Sequence, residues 1–592
     1  MARRKSKRRS SKPAKHEKEA RTTKTTVPVP RPRLYLGFWA GALGIVSIFF
    51  LVLKMFTMNT YAGDEHIYLY QAKLISQGVA PYSGFAMAHP PVHALFTALT
   101  FKVFGYHFLL GRFLPVLWCL TGGIVLAFLV RREYGRVASV ATVALYLLAY
   151  EPLRASSHFT GVNMTVALLI SAVFAYRLNA IRAAAVLSTL AVFTRLYAAP
   201  GILVLVVFAL VADRRSGLRL VFWGAVTGTV CFILIGIWTG FQDMIHNMVL
   251  YHAQKTPMKP GSLVGMRDKV LFHNASLAAV FLLAQVAAIA TLASELAGTG
   301  RGAGPLSRLA EAMRSSRLGL FVLASSIAFF FQVVLLSMDR VWMYYFIPSF
   351  PFAAVAGGWL VARWVQGVAM LIRGKLEKPH RMRFVCGVIL FIAFIMSYAL
   401  SPMLERNLKY YKLEMKKPQK ERAHTYAWNP GLLPGGVNEA VKSILWKDVR
   451  VIGEPHTRFN YYLWHESRVL DIVDEVVETI KNKSGASGEI FGDSGTVPLI
   501  ALLSDRRIAG NEVDTNIQRY RSGNANPKEL VKRIDNPKTQ MIILRHNFGV
   551  FGVAEVRRLV KEKYRRLKSV RSAQGRVFHL YKRLDAGERS SG

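Results

Sequence analysis

Residues 59–78 read NTYAGDEHIYLYQAKLISQG, and residues 86–105 read AMAHPPVHALFTALTFKVFG. The reading of these two stretches decides the fold. Both follow a long apolar run (34–56) that is of a length to cross a bilayer, and neither is itself a span. In the first, Ile67, Tyr70, Leu74 and Ile75 share one helical face, and Gly78 stands where a helix stop is expected. In the second, Pro90-Pro91 opens a helix whose face carries Val92, Leu95, Phe96, Leu99 and Val103, with Gly105 behind it. That helix would be about 20 Å long, too short to cross. Both segments therefore predict amphipathic helices lying on a membrane surface, in a first outer loop spanning 57–111.

Working outward, the chain repeats the apolar run. Spans are expected near 34–56, 112–130, 137–152, 161–176, 182–194, 197–212, 218–239, 275–293, 318–337, 344–363 and 384–400. Composition agrees with this polytopic α-helical reading of about eleven spans. Hydrophobic residues make up 52% of the 592, charged residues only 19%, and mean hydropathy is +0.26. Those values exclude a disordered or fibrous chain and argue against an ordinary soluble enzyme. Cys119, Cys231 and Cys386 all fall in apolar stretches, so no disulfide framework or Cys-rich metal site is expected.

The net charge of +42 first suggests nucleic acid, but its placement suggests topology. Residues 1–33 carry 13 Lys/Arg against Glu17 and Glu19, with no apolar stretch, which reads as a disordered basic cytosolic tail. Connectors 131–136, 177–182, 213–219, 295–317 and 364–383 are also basic and alternate as inner loops. No specific nucleic-acid partner is expected. The N-terminus is then cytosolic, and the loop 57–111, the loop 240–274 and residues 401–592 face outward or into a lumen.

Residues 401–592 change character. VRVI (449–452), EIF (489–491), MIIL (541–544) and RVFHLY (576–581) read as short buried strands. NPKELVKRID (526–535) and GVAEVRRLVKEKYRRL (552–567) read as helices between them. The expectation is a C-terminal soluble α/β domain with a mainly parallel sheet. Gly492-Asp493-Ser494-Gly495 matches a protease nucleophile sequence, but it follows a strand and precedes an apolar helix. A strand-to-helix turn with Ser494 or Thr496 as cap is the plainer reading.

The residues able to carry chemistry cluster in the first outer loop. Asp64 and Glu65 place carboxylates just outside a span, where one can deprotonate an acceptor hydroxyl. Asp64 is equally well placed to cap the following helix, and Glu65 to complement its dipole. His89 can meet a phosphate oxygen or orient a carboxylate, or stand solvated at the interface. Arg112, Arg195 and Arg340 lie at outer span ends, against the positive-inside trend. An anionic ligand bound by their guanidinium forks explains that placement, and so does snorkelling to headgroups. Loop 240–274 carries His246, Tyr251 and His252 with several cations, without metal spacing, and reads as a lid or headgroup contact.

Taken together, Asp64-Glu65, then Ala72, Gly78, Pro81 and Tyr82, then His89-Pro90-Pro91, then Phe101, Phe104 and Gly105, then Arg112 form a recognisable series. With Tyr344-Tyr345 ahead of Pro348 and Pro351, it resembles the C-type (GT-C) membrane glycosyltransferases, close to the protein O-mannosyltransferase and aminoarabinose-transferase branch. The resemblance covers roughly 34–400. It implies an enzyme that transfers a sugar, mannosyl- or hexosyl-like, from a polyprenyl-phosphate donor to a lipid, glycan or protein acceptor, with inversion. It assigns acceptor activation to Asp64, with Glu65 following it in the motif; donor or substrate contacts are expected of Tyr82, His89, Arg112, Arg195, Arg340 and Tyr345. The family often has Lys before Pro-Pro, where this chain has His89. No Trp-Trp-Asp is present, so transfer of whole oligosaccharides to asparagine is not expected. The leaving phosphate is already ionised, so no cofactor is required and no divalent metal is indicated. A prokaryotic plasma membrane is the expected location, with an ER membrane as the alternative. Other readings are a lipid or solute transporter, disfavoured by the scarcity of ionisable residues within the spans, and an inactive scaffold of the same fold.

Overall fold

The computed structural model describes residues 32–55, 64–156, 158–254, 274–298, 316–337, 343–374, 473–546, 549–571 and 577–584. Its first part is helical: α1 (Pro32–Met55), α2 (Glu65–Ser76), α3 (Val92–Phe104), α4 (Phe108–Tyr134), α5 (Arg136–Leu147), α6 (Tyr150–Ala155), α7 (Val162–Arg177), α8 (Ile181–Thr194), α9 (Ala199–Ala212) and α10 (Arg214–Thr239). Helices Ala275–Gly298, Ser316–Ser337 and Phe350–Ile372 follow. Ten of the eleven expected spans coincide with these helices. The eleventh, 384–400, lies outside the described residues, as do the basic tail, Arg340 and strand 449–452.

The count of eleven full spans is not what the helix lengths give. Three stretches among the described residues, Phe108–Tyr134, Arg214–Thr239 and Tyr344–Ile372, are long and apolar enough to cross alone. Helices α5, α7, α8 and α9 have 12, 16, 14 and 14 residues. At 1.5 Å per residue they fall short of a hydrocarbon core of about 30 Å. Glycine sets one of these limits: Gly135, at φ 90°, separates α4 from α5 in a conformation an L side chain rarely adopts.

The helices pack on one continuous apolar core in which Leu126, Leu129, Tyr146, Val166, Leu169, Leu323 and Phe352 are fully buried or nearly so. Small residues let backbones approach. A Cβ on Gly358 would sit 2.0 Å from Thr142 Oγ1 and 2.7 Å from the Ala138 carbonyl, so helix Phe350–Ile372 can lie against α5 only with glycine there. The outer faces are apolar too. Ile45 on α1 and Leu234 and Ile237 on α10 are 71%, 63% and 70% exposed, as a lipid-facing surface requires.

Helices α2 and α3 occur where the sequence put them, but α2 does not lie on a surface. Residues Glu65 to Ala72, Leu74 and Ile75 are all buried. One side of α2 meets α3, and another meets helix Val497–Ser504 of the C-terminal portion. The Tyr70 hydroxyl accepts the Ile508 N–H at 2.8 Å, and Lys73 reaches Asp505 at 2.9 Å. Helix α3 does keep an exposed apolar edge in Leu99, Val103 and Phe104.

The C-terminal portion is a five-stranded sheet in the order β2-β1-β3-β5-β4, with β1 Glu489–Gly492, β2 Arg507–Ile508, β3 Thr539–Arg545, β4 Tyr564–Arg571 and β5 Val577–Arg583. Strands β2, β1 and β3 are parallel, and β5 runs antiparallel to both β3 and β4. The sheet is thus mixed, not mainly parallel. The difference arises at YRRL. Helix Ala554–Lys563 ends there and Tyr564 begins β4, because Tyr564 and Val570 each find a buried place in the sheet domain. The polar run between them fits a solvated edge strand, where cations discourage edge-to-edge pairing. One face of the sheet is covered by helices Val473–Lys483 and Val497–Ser504, on the α2 side. The other is covered by helices Pro527–Ile534 and Ala554–Lys563.

Candidate active site

The two adjacent carboxylates at the start of α2 have opposite environments. Glu65 is completely buried. Its Oε2 accepts the Phe159 N–H at 3.2 Å and lies 3.4 Å from Arg112 Nε. Arg112, on α4, is itself completely buried. Burial, then the Arg112 charge, push neighbouring His66 down to about 3, so it is neutral and Arg112 is the cation that balances Glu65. Such a pair has lost its hydration on both sides and persists because each charge compensates the other. Arg112, expected at the outer interface, is placed inside, where its guanidinium pairs α4 with α2. The Glu65 carboxylate is likewise turned inward.

Asp64, one residue earlier, is exposed. It occupies the position before the helix but with helical φ −77° and ψ −11°, and its side chain makes no capping bond. An N-cap needs extended backbone to swing its oxygen onto the following amides. The capping role is thus corrected. Asp64 stands one helical turn before Tyr68, whose N–H reaches the Asp64 carbonyl at 3.4 Å and whose ring faces the Arg195 guanidinium.

Arg195 comes from the end of α8. It is 3% exposed, its guanidinium sits 4.6 Å from the Tyr68 ring centre, and one Nη donates to the Thr160 carbonyl. Cation–π contact and the carbonyl fix its plane. Tyr345 stands 5.0 Å from Tyr197 and 5.0 Å from Tyr344, ring centre to ring centre. Burial raises the Tyr68 phenol far above its ordinary value, so it is a neutral hydroxyl at any physiological pH.

His89 is half-buried, 5.7 Å from the Tyr68 ring and stacked at 5.4 Å on His252. Its carbonyl accepts the Tyr82 hydroxyl at 2.8 Å. Tyr82 is buried and holds φ 67°, a left-handed conformation rare for a bulky residue and sustained by its surroundings. Its ring and hydroxyl organise the His-Pro-Pro turn, and its phenol is also driven upward by burial. The structure thus gathers Arg195 and His89 about Tyr68, with Asp64 one helical turn before it and Tyr345 packed on Tyr197 and Tyr344, while Tyr82 braces the His-Pro-Pro turn. Arg340 lies outside the described residues.

Two histidines escaped the sequence reading of the site. His252 belongs to the loop expected to be a lid, and short helical turns over 241–253 carry it to His89. His93, two residues past Pro91, is 2% exposed and packs on Tyr68 and Phe159 at 5.5 and 5.3 Å. Within an apolar helical pattern it read as one polar position among many, and only its burial marks it. Among the described residues no group of three or more His, Cys, Asp or Glu side chains is arranged to hold a metal.

No protein-family model matches the sequence, and no curated protein matches it. Solved structures do. The crystal structure of ArnT, an aminoarabinose transferase, from Cupriavidus metallidurans in the apo state superposes with a TM-score of 0.54 at 15% identity, covering 93% of this chain and 98% of that one. The same protein bound to undecaprenyl phosphate gives 0.53 at 16% identity, with the same coverage. The Archaeoglobus fulgidus oligosaccharyltransferase in complex with Zn and sulfate gives 0.44 at 10% identity, covering 91% of this chain and 72% of that one. The architecture is therefore that of the GT-C membrane glycosyltransferases, the class to which the ArnT structures belong and the one the motifs of residues 64–112 resemble.

Proposed function

We propose that this chain transfers a single sugar from a polyprenyl-phosphate donor to an acceptor hydroxyl or amine at the membrane face that carries α2 and the sheet domain. The observation that carries the reading is the split between Asp64 and Glu65: one carboxylate is locked inside by Arg112, and its neighbour is exposed beside a cationic, aromatic patch. The ArnT likeness at TM-scores of 0.53 and 0.54 supports it through fold, and that protein has been crystallised with undecaprenyl phosphate.

In the proposed step the bond between the anomeric carbon and the phosphate oxygen breaks, and the acceptor atom bonds to that carbon from the opposite face. Asp64 takes the acceptor's proton, and polyprenyl phosphate leaves with the electron pair. Arg195, held by Tyr68 and the Thr160 carbonyl, stabilises the charge growing on the phosphate, and Tyr345 and His89 line the approach. Attack opposite the leaving group gives inversion, by the geometry of inverting hydrolases.

The test is turnover of purified Asp64→Asn with a polyprenyl-phosphoryl sugar. Because Asp64 makes no capping bond, the amide leaves the helix start intact, and folding should be unchanged. Turnover should fall on the order of 10²-fold or more, since an amide accepts no proton at neutral pH. Turnover near wild type would remove the general-base role from Asp64.

A further inference from the structure

Buried polar atoms ordinarily find partners. Around Arg195 several do not, and they come from three separate segments. Both ring nitrogens of His93, on α3, lack a protein hydrogen-bond partner, as do Arg195 Nε, at the end of α8, and the Thr160 hydroxyl, in the loop before α7. His93 and Arg195 are 2% and 3% exposed. They are neighbours. A Cβ on Gly161 would lie 2.9 Å from His93 Cγ and 3.1 Å from Arg195 Nε, and Gly161 holds φ 77°. Only glycine lets the chain turn at that point without displacing either side chain.

The unmet atoms define a ligand by their donor and acceptor inventory. Arg195 Nε only donates. A neutral imidazole donates from one nitrogen and accepts at the other, and the threonine hydroxyl can do both. Burial and then the Arg195 charge hold His93 far below its ordinary range, so the neutral form is the one present. A phosphate oxygen, which only accepts, would satisfy Arg195 and leave the accepting nitrogen of His93 unmet. A hydroxyl group both accepts and donates, and so matches the set.

We propose that His93 and Thr160 form a hydroxyl-reading subsite next to Arg195, which recognises a hydroxyl of the donor's sugar while the guanidinium takes the adjoining phosphate. This rests on the donor assignment above and deepens it: His93 becomes the residue that discriminates among lipid-linked sugars. A site built to hydrogen-bond a substrate hydroxyl rejects analogues lacking it far more strongly than an apolar pocket rejects one of the wrong size.

The experiment measures binding to the full chain in lipid nanodiscs. The probes are sugar-free polyprenyl phosphate, a panel of polyprenyl-phosphoryl hexoses and pentoses, and mono-deoxy versions of the tightest binder. His93→Phe should bind the sugar-free lipid as wild type does and lose roughly tenfold or more on the best glycosylated lipid. His93→Gln, which keeps a donor and an acceptor, should recover part of the loss. For one mono-deoxy donor, wild type and His93→Phe should bind equally. Equal losses on the sugar-free and glycosylated lipids would make His93 a support for Arg195 and overturn the proposal, as would no loss on either. Discrimination kept in both variants against every deoxy donor would overturn it too. If wild type itself fails to bind sugar-free polyprenyl phosphate, the donor assignment falls, and the subsite falls with it.

Discussion

The outer shelf formed by α2 and α3 and the turn after β1 both bury a carboxylate, yet they are built to different ends. In the sheet domain, both Asp493 oxygens are used: Oδ2 accepts the Arg545 N–H at 2.6 Å and Oδ1 the Val550 N–H at 3.1 Å. Thr515 ties the same turn, donating to the Gly492 carbonyl and accepting the Ser494 N–H, each at 2.8 Å. Gly549 lies so close that a Cβ there would fall 1.9 Å from Asp493 Oδ1. In this turn the polar groups close on one another. Ser494 makes no hydrogen bond to a histidine among the described residues, and the Thr496 side chain makes no capping bond, although the backbone carbonyl of Asp493 accepts the Thr496 and Val497 N–H groups. The Gly-Asp-Ser-Gly sequence is thus a structural turn. On the shelf, Glu65 and Arg112 are held as an ion pair at 3.4 Å, and beyond them His93, Arg195 and Thr160 have polar atoms without a protein partner. A polar cluster that is internally complete holds a fold, and one that is incomplete has capacity for a ligand.

That contrast can be broken most forcefully at the Glu65–Arg112 pair. Arg112→Met leaves Glu65 buried without its cation and should cost about 3–5 kcal/mol. Replacing both together, as Glu65→Leu with Arg112→Met, should cost less than Arg112→Met alone, since no charge is then stranded. Thermal midpoints of the two proteins in detergent check this, and equal midpoints would mean that the pair is not coupled.

Asp493 offers the matching change in the sheet domain. Burial, opposed by its two backbone donors, raises its carboxyl from 3.8 to about 6. A group with a raised folded value contributes stability that is complete below the unfolded value and is lost as pH climbs through the folded one. Wild type should therefore lose stability relative to Asp493→Asn between about pH 4 and pH 6, by on the order of 3 kcal/mol at most. Hydrogen exchange of the 489–497 and 541–546 segments at pH 4.5 and 7 measures it. Turnover per folded molecule should not change, because no chemistry is assigned to this turn.

The smallest effect is expected where the two regions meet. Lys73 reaches Asp505 at 2.9 Å, but Asp505 is 89% exposed, so Asp505→Ala should shift stability little, as exposed pairs generally do. The apolar contact of α2 with helix Val497–Ser504 and the Tyr70–Ile508 bond carry the joint. A midpoint shift comparable to that of Arg112→Met would show that the charge, not the packing, couples the sheet domain to the shelf.

What the sequence determined by itself was periodic or compositional. Apolar runs placed ten helices, the faces of 66–77 and 90–105 placed α2 and α3, and three apolar segments placed β1, β3 and β5. The resemblance of residues 64–112 to GT-C enzymes led to the fold that the solved structures support. These signals are local, because hydrophobic period and turn residues act within a few positions along the chain. Tertiary structure alone decided which of two adjacent carboxylates faces outward, since that depends on Arg112 arriving from α4 and Phe159 from the loop before α7. It alone turned YRRL into an edge strand, by pairing it with β5, and brought His252 to His89 across more than 160 positions of sequence. It also picked out His93, because burial beside Arg195 is a property of the space around a side chain and leaves no mark in the order of residues.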